Sequence, residues 1–299
     1  MNESLVKYLA GLLDADGCLS FNYAKIRSKE GSDRRTVQLR LVLSASKNVD
    51  KLGFIPSLPE LTGVGTTYTM PPNDSVNAWC VAKRSDLEIL LPRLIKHMVI
   101  KARHWQWLLD EWRLYRGKEW GERGVTPEER ELMSERAKAS RLNVGPIKPK
   151  NHPSWAWLAG YLDGDGWYSG CFKSLRRGSR RIGAAAHKND ASVLEFISKA
   201  FGGTVSVYPK NPNLVVWHRN AGHSQTSFAL KFLPNLAKHS RLKRPKIDQM
   251  IRWHRQRLSE SVTTCSHQYC YAKIYSNGEC QTHYNRKYTE MRRRVKATV

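Results

Sequence analysis

At 299 residues the chain is long enough for one large domain or two of ordinary size, so its core needs no disulfide staple. Its 50 Lys and Arg against 26 Asp and Glu leave a formal net charge of +24, which repels itself unless an anionic partner, nucleic acid above all, neutralises it. No apolar run approaches a membrane span and no leader pattern opens the sequence. The expectation is therefore a soluble intracellular protein, of a bacterial or phage-infected cytoplasm or of an organelle, with no membrane partner.

The first segment, SLVKYLAGLLD (4–14), reads as an apolar helix with Ser4 as its N-cap, ending near Gly17. CLSFNYAKIR (18–27) then runs to a turn at Gly31. TVQLRLVLSAS (36–46) alternates at period two, placing Val37, Leu39, Leu41 and Leu43 on a core face and Thr36, Gln38, Arg40 and Ser44 opposite. SKNVD (46–50) opens a second helix. A hairpin over 65–83 turns at PPNDS, and Ser85 with Glu88 forms a capping box for the helix that follows. Beyond it, Thr126 caps, Pro127 takes the first helical position and Glu129 completes a capping box. A charged helix to about Arg141 and a Gly/Pro/Lys-rich strap complete a tether.

After the tether the pattern returns. WLAGYLDGDG (157–166) repeats YLAGLLDADG (8–17), HKNDA (187–191) answers SKNVD, and LPNLAKHSRLKR (233–244) answers LPRLIKHMVIKA (91–102). The second unit follows the outline of the first at 167–188, 203–219 and 226–233, with looser strands. Three matched blocks in one order make the chain a tandem duplication. The expected divisions are an N-terminal unit at 1–116, a tether with a charged helix at 117–152, a C-terminal unit at 153–258 and a basic tail at 259–299.

Gly11 and Ala15, like Gly160 and Gly164, stand four apart on one helix face, a spacing that lets two backbones approach and predicts a seam between the units. Asp16 and Asp165 fall at the C-terminal ends of those helices. There the helix dipole is negative and a carboxylate is unfavourable, and two such ends brought together repel further. A divalent cation shared by the pair accounts for that placement. Asp14 and Asp163, two residues earlier, are read as accepting backbone bonds and orienting the turn.

The two motifs, LAGLLDADG and LAGYLDGDG, resemble those of a single-chain, two-repeat LAGLIDADG homing endonuclease, over about residues 4–258. The resemblance implies an α+β fold: two pseudo-symmetric αββαββα units packed on their motif helices, a monomer with an internal pseudo-twofold, with saddle-shaped antiparallel sheets lying in the DNA major groove. It implies a site-specific double-strand break in a long duplex target by Mg²⁺-dependent phosphodiester hydrolysis, with Ca²⁺ or Mn²⁺ as substitutes for Mg²⁺, leaving short 3′ overhangs. Carried over position by position, Asp16 and Asp165 are catalytic acids and Mg²⁺ ligands. Lys101 and Lys243 stabilise charge on the scissile phosphate or organise the attacking water, and Ser46 and His187 occupy the water-positioning place. Base-reading candidates are Ser20, Asn22, Gln38 and Arg40 in the first unit and Lys173, Arg177 and Arg181 in the second. An RNA maturase acting on intron RNA and a non-cleaving DNA-binding regulator are the alternatives. Retention of both motif acids disfavours each.

The tail carries its own metal pattern. Cys265, Cys270, Cys280 and His283 give C-x4-C-x9-C-x2-H, a set suited to a closed tetrahedral structural Zn²⁺ whose binding would supply the folding energy of so small a module. His267 is a rival ligand, disfavoured by its closeness to Cys265. Arg286, Lys287, Arg292, Arg293, Arg294 and Lys296 surround the site, as phosphate contacts would require.

Overall fold

The computed structural model describes residues 1–25, 35–70, 75–116, 124–142, 153–169, 181–220, 228–259, 267, 270 and 279–297. The first repeat runs α1 (Glu3–Asp16), β1 (Cys18–Lys25), β2 (Arg35–Ser46), α2 (Phe54–Thr62), β3 (Thr66–Met70), β4 (Val76–Val81) and α3 (Arg84–Ile95). A further helix, α4 (Ala102–Arg116), is followed by the short strand β5 (Gly124–Val125) and the tether helix α5 (Pro127–Leu142). The second repeat runs α6 (Trp155–Gly164), β6 (Gly166–Ser169), β7 (Arg181–His187), α7 (Ala191–Phe201), β8 (Thr204–Tyr208) and β9 (Asn211–Asn220), then helix Leu233–His239 and helix Arg244–Ser259. The order αββαββα therefore occurs twice, as the duplication predicts.

Strands of the first repeat pair in the order β1-β2-β4-β3, with β5 on the far end of β2, and the second repeat gives β6-β7-β9-β8. Register follows the hydrophobic alternation: Leu39, Leu41 and Leu43 of β2 are fully buried, Arg40 and Val42 between them are half-buried, and Gln38 just before them is exposed. Val37 is only half-buried, at the outer end of the stripe. Asp50 accepts the Phe54 and Ile55 backbone N–H groups at 2.6 and 3.0 Å, satisfying the first turn of α2 after Gly53 reverses the chain at φ 66°.

Three local expectations change. The N-cap of α1 is Asn2, whose side chain accepts the Leu5 N–H at 2.8 Å. Ser4 lies inside the helix with its hydroxyl 3.2 Å from His239 Nδ1. Starting earlier places Glu3 in the first turn, where the helix dipole favours it. The capping box at α3 is not made: Lys83 is the cap without a side-chain bond, and the Ser85 hydroxyl turns to Asp86 at 3.1 Å. Within 226–233, residues Phe228–Phe232 wind into a π-helical turn rather than a strand. By contrast the tether box forms in full, Thr126 N–H to Glu129 at 2.8 Å and Glu129 N–H back to Thr126 at 3.3 Å.

Two compact units divide the chain: one comprises residues 1–167, 183–217 and 239–243, the other 168–182, 218–238 and 244–299. Both motif helices lie in the first. Their central turns are buried on every side, and a methyl group at Gly11 would overlap the Trp157 carbonyl, as one at Gly160 would overlap that of Tyr8. The seam predicted from small residues is thus a backbone-to-backbone contact that only glycine permits at those two positions. In the second unit Phe228 and Phe232 stack with centroids 5.5 Å apart, the Arg219 guanidinium lies 4.5 Å over the Phe232 ring, and Ile247 and Met250 are fully buried.

Candidate active site and metal-binding tail

The geometry of the site begins two residues before the motif acids. Asp14 is fully buried and accepts three successive backbone N–H groups, from Val99, Ile100 and Lys101, at 2.7, 3.2 and 2.9 Å. Asp163, equally buried, accepts those of Arg241, Leu242 and Lys243 at 2.7, 2.9 and 3.2 Å, with the Ser240 hydroxyl at 2.7 Å. Each carboxylate also takes one bond from the facing motif helix: Trp157 Nε1–H donates to Asp14 at 2.9 Å and the Tyr8 hydroxyl to Asp163 at 2.7 Å. Burial pushes Asp14 up from the ordinary carboxylate range, opposed by the Val99 and Lys101 N–H groups, Trp157 and the Lys101 charge. The sequence assigned these acids to local turns. The turns they hold lie some eighty residues downstream.

Those turns deliver Lys101 and Lys243. The Lys101 ammonium donates to the carbonyls of Leu13, Ala15 and Gly17 at 3.0, 2.9 and 2.9 Å, and Lys243 to those of Leu162, Gly164 and Gly166 at 3.1, 2.7 and 2.6 Å. Each lysine thus caps the C-terminus of its repeat's motif helix, which has no basic residue in its own last turn. Burial lowers the Lys101 pKa, while Asp14, Asp165 and Asp16 pull it back up.

Asp16 and Asp165 sit at the ends of α1 and α6, open to solvent on one side and packed on the other. Desolvation raises both: Asp165 reaches about 6, with Asp16 adding repulsion and Lys101 and then Lys243 opposing. Asp16 is raised in direction by the same burial, opposed by Lys243 and then Lys101. Two carboxylates that resist ionisation are a donor set that could hold a divalent cation.

Two clefts flank the seam. One, of about 280 Å³, is lined by Asp16, Ser46, Val49, Gly164 and Lys243; the other, of about 770 Å³, by Asp165, His187, Asp190, Lys101, His104 and Arg141 among others. Each acid therefore shares its cleft with the strand-end residue of its own repeat and the lysine of the other. This crossing is invisible in a linear alignment. Residues the sequence reading missed are Tyr8, Trp157, Ser240, His104 and Asp190. Tyr8 and Trp157 stand at the same place in the two motifs, so a hydrogen-bonding aromatic at both was the available signal.

On the sheet, Ser20 lies opposite Arg40 and Asn22 opposite Gln38 across the β1–β2 ladder, so the four form one patch. Asn22 and Gln38 are exposed. Arg40 is held by the Cys80 thiol and the Tyr68 hydroxyl, each at 3.0 Å. Arg181 opens β7 and is exposed; Lys173 and Arg177 lie outside the described residues. Ser46 and His187 end β2 and β7, where the His187 ring accepts the Asn189 N–H at 3.3 Å.

In the tail, Cys270 Sγ lies 3.5 Å from Cys280 Sγ, which lies 3.5 Å from His283 Nδ1, and the three ligand atoms fall within 4.8 Å of one another. Cys265 is outside the described residues. His267 stacks on His283 at 4.0 Å between centroids and turns its Nε2 to Glu279 at 3.3 Å. That orientation makes it a neighbour of the cluster rather than a member. Helix Gln281–Ala297, which carries His283, also carries Arg286 and Lys287, both largely exposed.

Neither a protein-family model nor a curated protein sequence matches the chain. Solved structures do. A mutant of I-SmaMI superposes with TM-score 0.65 at 18% identity, covering 88% of this chain and 93% of that one. I-SmaMI bound to uncleaved DNA target in the presence of calcium ions gives 0.60 at 16%, covering 88% and 94%. The LAGLIDADG homing endonuclease I-GzeII in complex with its DNA target gives 0.63 at 15%, covering 88% and 94%. These likenesses establish that the chain has the two-repeat LAGLIDADG fold.

Proposed function

We propose that the chain is a site-specific DNA endonuclease that makes a double-strand break in a long duplex target by divalent-metal-dependent phosphodiester hydrolysis, leaving short 3′ overhangs. The observation that carries this reading is the crossed pairing of two motif acids with two half-buried lysines at the end of a shared helix seam. It gives two equivalent chemical centres, one for each strand. Folds of this kind in I-SmaMI and I-GzeII are described as bound to DNA, which supports the same substrate for a chain of net charge +24.

Asp16 and Asp165 would hold Mg²⁺; I-SmaMI is described as bound to uncleaved DNA target in the presence of calcium ions, which supports a divalent cation. When bound, such an ion activates water and stabilises the leaving oxygen. The lysines act differently from free phosphate-binding side chains. With three carbonyls on each ammonium, the cation is fixed in place and contributes its field to the cleft, where low dielectric strengthens it against phosphoryl charge. His187, which lines the Asp165 cleft, would orient water or accept a proton from it, and Ser46 would be its weaker counterpart. Asn22, Gln38, Ser20 and Arg40 read bases from one sheet patch, with Arg181 on the other repeat. Cys265, Cys270, Cys280 and His283 would bind structural Zn²⁺, fixing helix Gln281–Ala297 for phosphate contacts.

Cleavage selection from a random duplex pool tests the reading, with Mg²⁺, with EDTA, and with the Asp16→Asn and Asp165→Asn variants alongside. One long site cut only by wild type with Mg²⁺ is expected; recovery of bound but intact DNA would replace the nuclease with a binding protein. For the tail, the purified chain should contain one equivalent of zinc by elemental analysis. Cys280→Ser should lose it while retaining Mg²⁺-dependent cutting of short substrates. Full zinc retention in that variant would remove Cys280 from the ligand set.

A further inference from the structure

We propose that Asp14 and Asp163 are positioning residues, each of which sets the lysine of one cleft and therefore controls cutting of one DNA strand. Asp14 serves the cleft of Asp165, and Asp163 that of Asp16. The proposal rests on the nuclease reading above and adds to it a division of labour that neither motif discloses.

The geometry is specific. Asp14 gathers the N–H groups of Val99, Ile100 and Lys101, so it fixes the backbone from which the Lys101 side chain departs. Lys101 then reaches the α1 carbonyls and faces Asp165 across the larger cleft. Asp163 does the same for Arg241, Leu242 and Lys243, and Lys243 faces Asp16 across the smaller one. The two networks share no lysine and no loop. An Asn in place of either Asp presents an NH₂ group to N–H donors, so it cannot hold three of them and leaves part of the loop unlatched. A partner of this kind, acting through the residue it orients, typically matters by about 10–100-fold.

The facing aromatics supply an independent check. Trp157 Nε1–H bonds only the Asp14 side of the pair and the Tyr8 hydroxyl only the Asp163 side. Trp157→Phe removes one N–H donor yet keeps an aromatic in the seam. It should bias the same strand as Asp14→Asn, by several-fold. Tyr8→Phe should bias the other.

The test uses the full chain and a duplex target labelled separately on each strand. Asp14→Asn and Asp163→Asn should nick opposite strands, each slowing one cut about tenfold or more relative to the other. Equal slowing of both strands, or bias to the same strand, overturns the proposal. A second readout needs no catalysis: amine-reactive labelling without DNA, read by mass spectrometry. Lys101 should gain labelling several-fold in Asp14→Asn and Trp157→Phe while Lys243 stays protected, and the reverse in Asp163→Asn. Unchanged Lys101 labelling in both of the first two variants overturns the proposal whether or not they cut. If wild type cuts neither strand of any selected duplex, the nuclease reading fails, and the labelling pattern alone still decides whether each Asp positions its lysine.

Discussion

The two clefts share a skeleton and differ in their walls. In each, an acid ends a motif helix, a lysine from the other repeat caps that repeat's own helix through three carbonyls, and a buried aspartate latches the lysine's loop. Nearly all those bonds involve backbone groups, which divergence of side chains leaves untouched. What has diverged faces the cleft: Ser46 and Val49 line one, His187 and Asp190 the other. The tether helix adds a second difference, because Arg141 and the His104 it contacts line only the larger cleft. On the proposed nuclease reading, a duplicated fold thus keeps two copies of its machinery while giving each strand of an asymmetric target its own chemistry.

The largest effect that breaks the equivalence is loss of an acid. With strand-labelled substrate, Asp165→Asn should slow its strand by about 10²–10³-fold, the scale of losing a preorganised charge at a reacting centre. The same change at Asp16 should fall first on the other strand. Identical strand profiles for the two variants would mean one shared centre rather than two. A smaller effect sharpens the comparison. Replacing His187 with Ser and Asp190 with Val gives the second cleft the wall of the first. Without its imidazole that strand should slow about 10-fold to 10²-fold, whereas Ser46→Ala should stay within a few-fold. A stronger effect at Ser46 than at His187 would reverse the assignment of walls.

The sequence disclosed whatever the duplication repeats in register: both αββαββα outlines, the seam glycines, both acids and both lysines. Periodicity alone located β2 and its buried stripe of Leu39, Leu41 and Leu43. The lysines' partners stayed hidden, because a carbonyl acceptor has no residue signature and the bonds from Lys101 to Leu13, Ala15 and Gly17 span most of the first repeat. The first N-cap was misplaced because Asn2 and Ser4 are both good caps, and only the observed bond to Leu5 decides between them. Crossing of lysines between clefts is a property of the seam, which a linear alignment of the repeats cannot express.

The smallest predicted effect concerns His104, the feature that sets the larger cleft apart at its tether side. Arg141 Nε–H donates to His104 Nε2 at 3.2 Å, so that nitrogen carries no proton; Nδ1–H therefore donates to the Ser140 hydroxyl at 2.7 Å, which in turn donates to the Ala137 carbonyl at 2.9 Å. Protonating Nε2 would set a second N–H against the arginine. Burial first, then the Arg141 and Lys101 charges, lower the His104 pKa to about 4, against 6.5 for a free histidine. The unfolded chain thus takes up its proton first as pH falls. The stability from neutral His104 is complete above pH 6.5 and is lost progressively as pH falls from 6.5 through about 4. Its size is about 1–2 kcal/mol once screening at the open edge of the cleft is allowed for. Denaturant melts of wild type and His104→Gln between pH 4 and 7 isolate it, since the raised Asp165 contributes equally to both curves and cancels in their difference. That difference should shrink toward acid, because Gln keeps one donor and one acceptor but takes up no proton. A difference independent of pH would mean that His104 holds the tether helix by packing alone. In the second repeat the matching position is Lys246, which is exposed, so Lys246→Gln should leave the same curve flat.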